Sequence, residues 1–488
     1  MIRTWLLPAI AIFLAALLGY GAGVEMLAAG LFGFVVLVGG VAVLRERASA
    51  PTSYAPVRRT APGGASDSAP ARELNTDDSP RGAEINVRAT FQFWLLVALS
   101  VRVVGAFAFN LTKFNGQVAP DSAWYAIVGR LMAASWHSHI PFSFEGLPSY
   151  HPRSIHQLTN AAMAYLGADD MLPVVMGLIN ACIATLAVAC FGRLALVTYG
   201  PRAAQITLAL AALWPSHVLW TSINLRESWS FFFLGGALAS AQLIRMRGPT
   251  IVRSASFVLF LGSLWFIRGY LIPVVVLGLA ASYLVIRMKQ IPAAVASLAM
   301  MGLICYLLYR AGYLSGELRL ESQLEALQRS RNGLMGGGSS YEYADVSTVS
   351  GALSYLPRGV VCFLLEPFPW AIKSWREAMA CAESFVWYFI LVAALRAMWK
   401  GLRTDFAHHA LPTFVVWALI LSYGLIEGNA GTAYRHRAHA ALIIFVFASG
   451  FYASRFNAKT LSWRKSAPTN LRTKDLRHEP EQLIQNQA

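Results

Sequence analysis

The chain has 488 residues, 56% of them hydrophobic and only 13% charged, with a mean hydropathy of +0.50. Soluble domains carry roughly 25% charged residues, so a soluble enzyme with a single anchor is excluded. Lys and Arg outnumber Asp and Glu by 40 to 25, a net charge of +15.

Apolar runs of about 18–22 residues recur along the chain, the signature of membrane-crossing helices. A β-barrel would show short alternating segments instead. The fold class read from this pattern is an all-α polytopic membrane protein with about 12 transmembrane helices. Helices are expected at 5–22 and 26–44, an N-terminal hairpin (1–44) whose first run has no convincing cleavage site and reads as a retained span. Residues 45–90 are rich in Pro, Ala, Ser, Gly and charge, cannot bury a core, and read as a disordered cytoplasmic linker. The catalytic body is read as 91–457, with spans at 91–111, 172–198, 203–222, 226–244, 254–267, 270–286, 292–313, 383–400, 409–427 and 436–454. Residues 458–488 read as a basic, disordered tail. The apolar stretch 353–376, broken by three prolines, reads as interfacial or re-entrant. The five cysteines are scattered without a C-x-x-C pair, so small buried thiols are expected rather than a disulfide or zinc framework.

Charge sets the orientation. With the N-terminus inside, the inner segments hold 25 of the 40 basic residues and 10 of the 25 acidic ones. The whole excess then lies on the cytoplasmic side, facing anionic lipid. That accounts for a pI of 9.8 with no nucleic acid as partner. Two long segments, 112–171 and 314–382, fall on the other side. Loops of that length in a compact protein are usually functional.

The chemistry-bearing residues gather in those outer segments and turns. Asp121 opens "DSAWY", and the apolar residues 124, 127, 128, 131 and 132 form one stripe of a helix lying in the interface. As an Asp at a helix start it reads as an N-cap; as a carboxylate among aromatic residues it reads as a base. "SYHPRSIHQ" (149–157) brings His151, Arg153 and His156 into one loop. "SINLRESW" (222–229) sets Arg226 and Glu227 at a tight turn, where they also read as a local pair. "WFIRGYLIP" (265–273) places Arg268 and Tyr270 between two short helices, an arrangement that often surrounds a binding site. "EGNAGTAYRHRAHA" (427–440) packs Asn429, Arg435, His436 and Arg437 into the last outer turn. An Arg at a helix end can simply snorkel. Several guanidiniums in apolar surroundings suit a buried phosphate, because their planar forks match its oxygens.

These residues resemble the GT-C superfamily of polytopic glycosyltransferases, and within it bacterial proteins similar to dolichyl-phosphate-mannose–protein mannosyltransferases. Asp121-Ser122-Ala123-Trp124-Tyr125 resembles the acidic D-E-A-x-Y motif of the first outer loop. Tyr150-His151-Pro152-Arg153 followed by Ala164-Tyr165-Leu166-Gly167 is similar to the Y-H-P-P-L…G stretch. Residues 212–238 and the "FIRGYLIP" pair look like further family elements, and "EPFPWAI" (366–372) with "GNAGTAYRHR" resembles a subgroup linked to surface polysaccharide. The resemblance covers roughly 91–455. It implies an inverting transferase that moves a sugar from a polyprenyl-phosphate donor to a glycan, lipid or protein acceptor on the outer face of the inner membrane. It implies Asp121 as the base and Tyr125, His151, Arg153, Arg226, Glu227, Arg268, Tyr270, Asn429, Arg435, His436 and Arg437 as substrate-binding. Ser122 replaces the family's second acid, so transfer without metal or cofactor is expected. Arg153 in place of the second Pro leaves the role of His151 open.

Two rivals stand beside this reading. A polysaccharide polymerase or ligase would also take lipid-linked donors, but an Arg or His would be indispensable in place of Asp121. A lipid or glycan transporter would explain broken helices and intramembrane Arg, although no internal repeat is visible. No G-x-G-x-x-G stretch follows a strand, which argues against a nucleotide-sugar donor.

Overall fold

The structure is a computed structural model describing residues 86–112, 119–140, 142, 154–287, 320–335, 339–370, 372 and 375–466. The expected spans 5–22, 26–44 and 292–313, the linker up to 85, the tail beyond 466, His151 and Arg153 lie outside those residues, whereas 87–90 of the expected linker and 458–466 of the expected tail are helical. Among the described residues 84% are helical and no strand forms.

The helices are α1 (Val87–Asn110), α2 (Asp121–Ser138), α3 (Ile155–Tyr165), α4 (Leu172–Tyr199), α5 (Pro201–Leu213), α6 (Pro215–Ser222), α7 (Glu227–Arg247), α8 (Ile251–Ser263), α9 (Trp265–Arg268) and α10 (Leu271–Arg287). They continue as α11 (Leu320–Leu334), α12 (Val349–Leu365), α13 (Trp375–Thr404), α14 (Phe406–Ile426) and α15 (Ala430–Ser466). Among the described residues six stretches are long and apolar enough to cross a membrane: α1, α4, α8 with α9, α13, α14 and α15. A membrane protein built of helices therefore stands.

The core runs through α4, α7 and α15. Phe231, Phe233, Phe445 and Phe447 are buried there with Leu234, Leu442 and Ile443. α4 packs on α1, α5 and α7, α15 on α5 and α13, and α14 on α10 and α12. Close approach depends on glycine at one crossing in particular. A Cβ built on Gly359 of α12 would lie 2.1 Å from the carbonyl oxygen of Gly424 on α14. Gly359→Val forces these helices apart at a cost of about 3 kcal/mol, which a lowered melting temperature in detergent would register.

Several boundaries differ from expectation, each for a local reason. The expected helix 203–222 is two helices, because Pro215 has no N–H to offer Ala211. Two buried charges repair the break. Arg102 of α1 donates to the carbonyls of Ala211 (2.8 Å) and Ala212 (2.9 Å), and to Thr221 Oγ1 (2.9 Å). Glu383 of α13 accepts from Ser216 N (2.7 Å), Ser216 Oγ (2.8 Å) and Trp214 Nε1 (2.7 Å). Arg102→Met strips these buried carbonyls of their donors and costs roughly 3 kcal/mol. A drop in folded yield and melting temperature checks it. The 353–376 stretch is also corrected: α12 runs unbroken through Pro357, which lies on the exposed side, and ends at Leu365 before Pro367. Its three prolines do not act alike, since only those beyond the last turn stop the helix.

Candidate functional site

The site begins with a turn that is fastened from three sides. Residues Ile223–Arg226 join α6 to α7. Asn180 of α4 donates to the carbonyls of Ile223 (2.7 Å) and Leu225 (2.8 Å) and accepts from Trp229 Nε1 (3.1 Å). Asn160 of α3 and Asn224 exchange side-chain bonds of 3.2 and 2.7 Å. Arg226 donates to the carbonyl of Ile267 at 3.3 Å, tying this turn to α9. Glu227, the first residue of α7, is thereby held in place, fully buried.

Glu227 is the hub. Its Oε1 accepts from Arg435 Nε at 2.6 Å and also from Arg268 Nη2. Arg435 continues outward, donating from Nη1 to Asp121 Oδ2 at 2.9 Å. Exposure falls along this chain from 30% at Asp121 to 12% at Arg435, 1% at Arg268 and zero at Glu227. The accessible end is Asp121.

Asp121 is not the cap that the sequence suggested. The helix starts on it, Pro120 holds the cap position, and no side-chain cap bond forms. The carboxylate turns instead to Arg435, 314 residues along the chain. The expected apolar stripe also divides. Trp124, Ile127 and Leu131 are exposed, whereas Met132 is buried with Tyr125, Ala126 and Gly129 against α3.

A second branch runs from Arg268. Its Nη1 donates to Tyr270 Oη and to His436 Nε2, the latter at 2.8 Å. Because a guanidinium only donates, Nε2 of His436 is the acceptor and Nδ1 carries the proton to Glu427 Oε1. Glu427 Oε2 accepts from Thr432 at 2.7 Å. Tyr270 Oη lies 3.2 Å from Tyr423 Oη. Arg331 of α11 donates to the Glu427 carbonyl and stacks over Tyr355. Both ring nitrogens of His436 are committed, so it positions Arg268 rather than transferring a proton.

The structure thus brings Asp121, Glu227, Arg268, Tyr270, Arg435 and His436 together, with Arg226 and Tyr125 beside them. It does not bring in Arg437, which points away, donates to the carbonyls of Leu364 (3.0 Å) and Glu366 (2.7 Å), and lies over Trp387 and Tyr434. Asn429 serves the start of α15, accepting from Gly431 N (2.7 Å) and Ser339 Oγ (2.8 Å). Glu427, Tyr423, Thr432 and Arg331 complete the network and were not singled out from sequence. Glu427 opens the quoted "EGNAGTAYRHR" turn, and its spacing of nine from His436 was the available signal. Arg268 and Arg435 are committed to carboxylates, so an arriving anion must compete with Asp121 or Glu227 for them. Among the described residues no three His, Cys, Asp or Glu side chains form a metal-binding group. Comparison with protein-family models, with curated proteins and with solved structures finds no match.

Proposed function

We propose that this chain is a membrane glycosyltransferase that moves a sugar from a polyprenyl-phosphate carrier to an acceptor on the outer face of the inner membrane, in the synthesis of surface glycan. The observation that supports this reading best is the Asp121–Arg435–Glu227 chain. It pairs an accessible carboxylate with a guanidinium that a buried carboxylate holds in position.

In the ground state the Asp121 carboxylate is occupied by Arg435. A lipid phosphate reaching Arg435 replaces the Asp121 carboxylate as its partner, since guanidinium N–H groups donate to phosphate oxygens as they do to carboxylate. Asp121 is then free to take the proton of the acceptor hydroxyl. The acceptor oxygen forms its bond to the anomeric carbon as the carbon–oxygen bond to phosphate breaks. The electron pair leaves with the polyprenyl phosphate, whose charge Arg435 receives. Attack opposite the leaving group inverts the anomeric centre.

The test is release of radiolabelled sugar from a panel of polyprenyl-phosphate donors by the purified protein in liposomes. Release above protein-free liposomes supports the reading. Movement of lipid-linked glycan across the bilayer with no release from any donor overturns it in favour of transport.

A further inference from the structure

We infer that a subsite for the hydroxyl groups of a glycosyl unit lies beside the Asp121–Arg435–Glu227 chain, formed by Ser122, His156, Arg226 and the second carboxylate oxygen of Glu227. This inference rests on the transferase reading above and deepens it.

Buried polar atoms are ordinarily hydrogen-bonded, with few exceptions in a native chain. Here Ser122 Oγ, Arg226 Nε and Glu227 Oε2 are buried with no hydrogen-bond partner, and the buried His156 imidazole has the Asn224 amide as its one side-chain neighbour of that kind. Shared neighbours bring them close to one another. Arg435 ties Asp121, the neighbour of Ser122, to Glu227, the neighbour of Arg226. Ser122 and Tyr125 are three apart on the buried face of α2. The His156 ring stands edge-on to Tyr125 with centroids 4.7 Å apart. Glu227, Arg226 and Arg435 all act electrostatically on that imidazole, and the Asn224 amide stands within hydrogen-bonding reach of it.

The donor and acceptor types select the ligand. Burial pushes the His156 imidazole down to about 3, so it is neutral at physiological pH. The neutral ring carries one N–H and one lone pair, and the one that Asn224 does not engage is open to a ligand. Arg226 Nε offers an N–H, Glu227 Oε2 only accepts, and the Ser122 hydroxyl does both. A sugar hydroxyl also gives one bond and takes others, so a polyol satisfies this mixed set. The phosphodiester of such a donor only accepts, and the negative charge of any phosphate would face the Glu227 oxygen in repulsion. The phosphate therefore belongs at Arg435 and the sugar ring beside His156.

Saturation-transfer NMR on the full chain in detergent tests this, with methyl glycosides of glucose, mannose, galactose and N-acetylglucosamine as probes. Saturation should reach at least one glycoside. His156→Phe, which keeps the ring contact with Tyr125 but removes both nitrogens, should weaken binding about tenfold. His156→Gln, which restores one donor and one acceptor, should recover part of it and decides the matter should the Phe variant not fold. Inorganic phosphate should not compete. Failure of every glycoside to bind, equal binding by wild type and His156→Phe, or displacement by phosphate overturns the subsite. Sugar release from a polyprenyl-phosphate donor alongside any of those results leaves the transferase standing without the subsite. Absence of release from every donor removes the transferase itself.

Discussion

Asp121→Asn should lower sugar release from the polyprenyl-phosphate donor by about 10²–10⁴-fold, the range for losing a positioned general base, while the protein stays folded. The isosteric amide can still accept from Arg435 through its oxygen, so the Asp121–Arg435 contact survives in geometry and loses only its charge. Asp121 is accessible at one side, and a partly exposed ion pair of this kind is worth roughly 1 kcal/mol or less to stability. A large kinetic loss with an unmoved melting temperature is therefore the signature of chemistry rather than structure. Equal release from both proteins would reduce Asp121 to a tether for Arg435. It would also move the indispensable role to the Arg268–His436 branch, as expected of a polymerase or ligase. The measurement is single-turnover release in liposomes, with thermal unfolding followed on the same preparations.

Glu227→Gln should do the opposite, destabilising the chain first and the reaction only through it. Glu227 is fully buried and is the shared acceptor of Arg268 and Arg435. Removing one partner of a buried charge pair costs about 3–5 kcal/mol, because the charge left behind has neither water nor a counter-ion. Arg268, 1% exposed, bears most of that loss, since its remaining partners, Tyr270 and His436, are neutral acceptors. Folded yield and melting temperature in detergent should fall sharply. Glu227→Gln combined with Arg268→Met should be more stable than Glu227→Gln alone, because the orphaned charge is gone. If the double variant is as unstable as the sum of the two singles, the hub role assigned to Glu227 is wrong. The two experiments separate the accessible end of the chain, where a carboxylate is free to act, from the buried end that holds it in register.

Much of the architecture was legible in the residue order, because a bilayer imposes its demand one segment at a time. A run such as Leu172–Tyr199 must be helical and apolar whatever it packs against, and α14 and α15 announce themselves in the same way. Local chemistry also placed two turns, since Gly269 and the 427–430 stretch each interrupt a helix near where the sequence implies, whereas the break at Pro215 fell inside the single expected helix 203–222. What stayed hidden was every partnership between turns. Nothing near Arg102 in sequence shows that it will supply donors to carbonyls orphaned by a proline more than a hundred residues on. Nothing in "PDSAW" tells an N-cap from an acid reaching to Arg435, because both need an Asp at a helix start. Arg435 and Arg437 are two residues apart with the same side chain. Helical rotation sends one to Glu227 and Asp121 and the other to the carbonyls ahead of Pro367.

The sequence by itself determined that this is a helical membrane protein in which a group of ionisable residues, Asp121, Glu227, Arg268 and Arg435 among them, gathers near helix ends and turns. Hydropathy and charge act on each segment separately, so one dimension suffices to read them. Only the tertiary structure decided which of those charges meet. Pairing a buried guanidinium with a carboxylate depends on where distant helices cross and which way each side chain leaves its helix, and neither is written in the local pattern. Glu227 looked like a turn residue until α7, α9 and α15 brought it two guanidiniums, and Asp121 looked like a cap until Arg435 reached it.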